Sequence, residues 1–218
     1  MLGFHWLAEA AGCNPGRLAD PSVHTDVLLD LAKRLGLTVQ GAPHVDERPD
    51  GSVASIVLLS ESHASLHANP DQGTAWLDVF SCGPEIDGDA AADLVREALS
   101  PVRLGWRIVT RGPGHDPRVQ VTHHIRATYR GARVDEQVED AARAVLPQAT
   151  DRVHRFEPHG VSWAATTPRA MLVIHTWPEH GLATVDYRGT PLDLDAALRG
   201  IGWVPAARAL PTPLPEAL

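Results

Sequence analysis

The chain has 218 residues, 44% apolar and 21% charged, with a formal net charge of −8 at pH 7, which suits one large or two small soluble globular domains. An acidic chain with no basic block argues against nucleic acid or an anionic membrane surface as partner. Two cysteines, Cys13 and Cys82, are too few for a disulfide scaffold, and no run has the length of a membrane span or the pattern of a secretory leader, so the expected setting is the reduced cytoplasm.

In chain order, 5–12 reads as a first strand. Residues 22–36 carry Val27, Leu28, Leu31 and Leu35 at helical spacing and stop at Gly36, which predicts an amphipathic helix. The apolar, β-branched run 52–62 and the run 74–82 predict two strands of a hairpin, with Asn69-Pro70-Asp71-Gln72-Gly73 as the turn. A second helix at 87–101 and a closing strand at 105–112 complete the first half. The Gly- and Pro-rich segment 111–118 then reads as a linker rather than a phosphate loop.

The order then recurs. A strand at 121–131 leads to an amphipathic helix at 134–147, then a hairpin over 160–189 with its turn at 177–181. A short helix at 193–203 follows, and 211–218 reads as a loose tail. Placing His67 on His175 brings Pro70 over Pro178, Gly73 over Gly181 and Asp78 over Asp186. The chain is thus a β-α-β-β-α-β unit written twice, with 1–112 as the first repeat and 113–218 as a shortened second. The apolar face that helices leave bare on each sheet predicts an α+β, four-layer αββα sandwich.

Several motifs together resemble the S-adenosylmethionine decarboxylases of the bacterial type. They are Gly3-x-His5-x-x-Ala8-Glu9 with Gly12-Cys13, Glu61-Ser62-His63, Asp78-Val79-Phe80-Ser81-Cys82-Gly83, Gly160-Val161-Ser162 and His175-Thr176-Trp177-Pro178-Glu179. The resemblance covers nearly the whole chain. It implies a self-made pyruvoyl cofactor: the Ser62 hydroxyl attacks the carbonyl of Glu61, and elimination and hydrolysis leave a pyruvoyl group at residue 62. That ketone forms a Schiff base with a substrate amine and acts as an electron sink as CO₂ leaves, in the service of polyamine synthesis.

Against the family pattern the two repeats have lost complementary residues. The first keeps Glu61, Ser62 and Cys82 but has Ala54 at the position of Ser162, Arg48 at that of Phe156, and His-Ala-Asn-Pro-Asp in its turn. The second keeps Phe156, Ser162 and the whole His-Thr-Trp-Pro-Glu turn but has Ala170 opposite Ser62 and Thr190 opposite Cys82. Neither half holds a full set; together they hold one, as in the duplicated, fused members of the family. The resemblance implies Ser62, Cys82, His175 and Ser162 as catalytic residues, with Cys82 returning a proton to the α-carbon and His175 with Ser162 assisting cleavage. Glu61, Phe156, Trp177 and Glu179 are the implied substrate contacts, Phe156 as a stacking face for adenine and Glu179 as an acceptor for ribose hydroxyls.

Alternatives differ in class. The same scaffold could decarboxylate arginine or ornithine, or the chain could be a non-catalytic partner that regulates an active paralogue; retention of Ser62 and Cys82 speaks against the latter. His123 and His124 lack acidic or Cys partners at ligand spacing, so no metal site is expected. His67 reads as a structural remnant, and Cys13 has no assigned role. One chain holding both halves fits a monomer or a homodimer acting on a small molecule.

Overall fold

The structure is a computed structural model that describes residues 3–60, 62–83, 85–111, 119–121, 124–147, 149–156, 160–167, 170–189 and 192–206. It divides into two compact units between Thr110 and Arg111.

The first unit opens with β1 (Gly3–Ala11), a short helix α1 (Pro15–Leu18) and α2 (Pro21–Arg34). Asp20 caps α2 by accepting the Ser22 N–H at 2.8 Å, and Pro21 takes the first helical position, where no N–H is needed. The buried face of α2 is His24, Val27, Leu28, Leu31 and Ala32, a one-sided helical stripe. Four strands follow: β2 (Val39–Glu47), β3 (Val53–Leu59), β4 (Ser62–Asn69) and β5 (Thr74–Ser81). Helix α3 (Gly88–Leu99) follows, and β6 (Arg103–Arg111) completes its sheet, with Arg111 itself falling in the second unit. The six strands form one sheet in the order β2-β3-β4-β5-β1-β6.

The second unit adds β7 (Val119–Val121), β8 (His124–Arg130), α4 (Val138–Val145), β9 (Thr150–Arg155), β10 (Val161–Thr167), β11 (Ala170–Trp177) and β12 (Leu182–Arg188). It ends with α5 (Leu194–Arg199) and the short β13 (Val204–Pro205). Its sheet runs β13-β8-β12-β11-β10-β9, with β7 also on β8. This is the order of the first sheet element for element: β9 stands for β2, β10 for β3, β11 for β4, β12 for β5, β8 for β1 and β13 for β6. The registers agree as well, since His67 pairs with Ala54 on β3 and His175 pairs with Ser162 on β10.

In each unit the helices cover one face of the sheet. Trp6, Leu59, Leu66 and Leu77 pack with Leu28, Leu31, Val95 and Leu99 in the first core. Tyr129, Leu172, Ile174 and Val185 pack with Val138, Ala142, Leu198 and Trp203 in the second. These are the α+β repeats that the sequence predicts, but the first sheet has two strands more, and the second three more, than the four of the predicted β-α-β-β-α-β unit. An extra strand lies between the run 52–62 and the predicted turn at 69–73, and another lies inside the hairpin 160–189, because Leu59 pairs with Ser62 and Thr167 with Ala170 across connections lacking a Gly or Asn signal. Strands β2 and β9 were hidden for another reason. Both are edge strands, one broken by Gly41, Pro43 and a register shift between Gln40 and His44, the other studded with charge, as exposed edges are.

Each sheet also buries an aspartate on the face away from its helices, at equivalent positions of β5 and β12: Asp78 and Asp186, 2% and 0% exposed. Asp186 is met by Arg111, whose Nη1 donates to Oδ1 at 3.3 Å and to Oδ2 at 3.4 Å. A charge taken out of water needs such a partner. Arg111→Met should therefore cost about 3–5 kcal/mol in urea unfolding. Adding Asp186→Leu should recover most of that loss, because the uncompensated charge, rather than the missing contact, carries the cost.

Candidate active site

Leu59 and Ser62 form the first pair of the β3–β4 hairpin, so Ser62 stands where β4 begins, and its side chain is 5% exposed. The chain end of β5 comes back beside it: the Cys82 N–H donates to Ser62 Oγ at 3.2 Å. The structure thus brings Ser62 and Cys82 together, twenty residues apart in sequence. Gly3 permits the close approach of β1 to this corner, since a Cβ there would run into the Ser81 carbonyl oxygen. Cys82 is half-buried, whereas Cys13 is buried and its thiol is pushed up by that burial. Cys13 contributes through its backbone, donating its N–H to the Gly73 carbonyl at 2.9 Å and tying the end of β1 to the β4–β5 turn. Glu61 and Thr190 lie outside the described residues, as do 112–118 of the predicted linker, His123 and the predicted tail.

In the second unit Ser162 on β10 and His175 on β11 are paired across the ladder and fully buried, with Ser162 Oγ 2.8 Å from His175 Nδ1. A hydroxyl and an imidazole at this distance can pass a proton in either direction, depending on the tautomer. Their alignment is fixed one residue along, where the Val161 N–H donates to Thr176 Oγ1 at 2.9 Å. In the first unit the equivalent pair is Ala54 and His67, both buried, and Ala54 supplies no hydroxyl to its histidine.

Phe156 follows β9, half-buried, with its N–H donated to the Gly160 carbonyl at 3.2 Å; Arg48 makes the same bond to Ser52 at 2.9 Å. A Cβ on Gly160 would strike the Phe156 ring, so that glycine seats the ring against the backbone. Trp177 is 6% exposed, its ring centroid 6.1 Å from that of His175, which makes it chiefly a wall behind the histidine. Glu179 is exposed on a single 3-10 turn, Pro178–His180.

A cluster not singled out from sequence lies on the face of the first sheet away from its helices. Asp78 Oδ1 is 3.4 Å from His5 Nε2 and 2.9 Å from His63 Nε2, and Ser65 donates its hydroxyl to Asp78 Oδ2 at 2.8 Å. The Phe80 ring stands near both imidazoles, at centroid distances of 5.5 and 6.1 Å. The signal was present in sequence: a charged residue at an alternate position inside the apolar run of β5, repeated in register as Asp186.

The family model described as S-adenosylmethionine decarboxylase matches residues 4–112 and 130–196. This chain belongs to the S-adenosylmethionine decarboxylase family, whose members are carboxy-lyases. It is 36% identical over 124 residues to the S-adenosylmethionine decarboxylase proenzyme of Pyrococcus horikoshii, covering 57% of this chain and 88% of that one. It is 33% identical over 124 residues to S-adenosylmethionine decarboxylase proenzyme 2 of Halalkalibacterium halodurans, covering 55% and 97%. The adenosylmethionine decarboxylase of Aquifex aeolicus superposes with a TM-score of 0.47 at 27% identity, over 55% of this chain and 98% of that one. A little over half of this chain thus spans nearly the whole of each relative. Among the described residues no helix is long and apolar enough to cross a membrane.

Exposure separates the two cysteines, and burial pushes the Cys13 thiol up. A thiol reagent applied to the native protein at pH 8 should modify Cys82 and leave Cys13 untouched, with Cys13 reacting only after denaturation. Peptide mapping of the labelled chain checks this.

Proposed function

We propose that this protein is a pyruvoyl-dependent S-adenosylmethionine decarboxylase, activated by its own cleavage between Glu61 and Ser62. The observation that carries the proposal is the placement of Ser62 at the head of the β3–β4 hairpin with the Cys82 N–H on its hydroxyl oxygen. It is joined by family membership and by the names of the relatives, which call them proenzymes of that decarboxylase.

Ser62 Oγ attacks the Glu61 carbonyl carbon and the peptide becomes an ester. Loss of the Ser62 α-proton then expels the Glu61 carboxylate and leaves a dehydroalanine. Water replaces its nitrogen, released as ammonia, to give a pyruvoyl end on residue 62. The Cys82 N–H on Oγ favours the elimination, in which that oxygen takes on negative charge as part of the leaving carboxylate. The Ser162–His175 pair is assigned to proton movement during cleavage, because the first repeat has an alanine where that hydroxyl is needed. Once formed, the pyruvoyl ketone supplies an electron sink for the pair left behind when CO₂ departs. Cys82 has the chemistry to return a proton to the α-carbon. Phe156 is assigned to adenine, Glu179 to the ribose and Glu61 to the cationic end of the substrate, with Trp177 backing His175.

Denaturing mass spectrometry should find two fragments, one ending at Glu61 and one beginning with a pyruvoyl group in place of Ser62, while Ser62→Ala stays a single chain. Active protein that remains uncleaved refutes the proposal. For the substrate, CO₂ release from S-adenosylmethionine should exceed that from arginine, ornithine or lysine. Stacking is worth on the order of 1–3 kcal/mol per base, so Phe156→Ala should raise KM roughly ten-fold.

A further inference from the structure

We infer that the His5–Asp78–His63 cluster is the anchor that holds residue 62 in place once the chain has been cut, with His63 as a positioning residue. This inference rests on the proposed cleavage at Ser62. Before cleavage the corner is held covalently by the β3–β4 turn and by the Cys82 N–H on Ser62 Oγ. Cleavage removes both, since the turn is severed and Oγ departs with the Glu61 carboxylate. Residue 62 then becomes the free end of a strand, and strand ends fray. Its ladder position makes this worse: the β4–β5 pairing begins at His63 with Phe80, one residue further in, so residue 62 overhangs that pairing.

The His63 side chain is unaffected by the chemistry and is fully buried, with Nε2 2.9 Å from Asp78 Oδ1. Asp78 is itself tied down from both neighbouring strands, by Ser65 of β4 at 2.8 Å and by His5 of β1 at 3.4 Å. It also lies on β5, the strand that ends beside Cys82. One buried carboxylate therefore references the end of β4 to the strand that delivers the thiol. A reacting ketone displaced by about 1 Å can cost a hundred-fold in rate, so such a reference matters to turnover.

The second repeat provides an internal comparison. Its uncut equivalent of Ser62 is Ala170, and there the equivalents of His63 and Ser65 are Met171 and Val173, buried apolar residues. The aspartate persists as Asp186 but is met by Arg111 instead. The histidine and serine are present beside the serine to be cut and absent where no cut is made.

The test compares amide hydrogen exchange at residues 64–66 in cleaved protein and in uncleaved Ser62→Ala protein, each with and without His63→Ala. Intact mass is recorded first, so that an uncleaved parent, which removes the premise, is distinguished from a failure of the anchor. The anchor predicts exchange at least ten-fold faster on His63→Ala in the cleaved chain, with much less change in the uncleaved one. It also predicts that the cleaved variant loses kcat ten-fold or more with KM within about two-fold, and that His63→Gln, which keeps a polar group near the same reach, recovers most of the rate. Equal acceleration of exchange in both backgrounds would make His63 an ordinary core residue and overturn the inference. So would a His63→Gln protein that folds but stays uncleaved, since His63 would then act in the cut itself. One equivalent of tightly bound zinc, lost on Asp78→Asn, would make the cluster a metal centre and overturn it too.

Discussion

Side chains alternate across a β-strand, and helices cover only one face of each sheet here; the placement of Ser162, His175 and the two buried aspartates follows from that constraint. A one-residue slip would send Ser162 and His175 into the helix-packed core and leave Trp163 and Ile174 in their place. The two sheets share one strand order and one register, so every position in one repeat has a counterpart of known orientation in the other. Duplication therefore preserved geometry while chemistry diverged at single positions: serine against alanine at 162 and 54, alanine against serine at 170 and 62.

The buried aspartates show how far that divergence can go without disturbing the fold. Asp78 and Asp186 occupy the same place on equivalent strands, and each must be compensated where water cannot reach. For Asp186 of the second repeat the partner is Arg111, permanently charged, which approaches both carboxylate oxygens. In the first, two imidazoles and a hydroxyl surround the carboxylate, all drawn from strands that converge on Ser62 and Cys82. The same physical demand is met by a single ion pair for Asp186 and by a polar cluster beside Ser62 and Cys82 for Asp78.

Much of this was legible in the sequence because it depended on pattern. The repeat showed in the alignment of His67 with His175 and Asp78 with Asp186, and the helical stripe of α2 showed in its spacing. The missing strands were illegible for local reasons: the turn after Leu59 has no glycine, and edge strands β2 and β9 are bounded by no apolar face. The contact of Cys82 with Ser62 was legible only as spacing within a resemblance. Of the His5–Asp78–His63 cluster only the aspartate was legible, as a charge inside an apolar run; its meeting with two histidines was not, because diagonal neighbours on three strands depend on the sheet order, and β1 lies beside β5 rather than beside its sequence neighbours.

The central claim of the proposed function is that equivalent histidines in the two repeats have parted ways, His175 acting in cleavage beside its serine partner and His67 serving stability. The most direct measurement is the rate at which newly made chain splits, followed by gel or mass after a synthesis pulse, in His175→Ala and His67→Ala side by side. The account predicts that His175→Ala slows splitting ten-fold or more while His67→Ala splits at close to the parent rate and loses only stability. Normal splitting in His175→Ala with arrest in His67→Ala would contradict it.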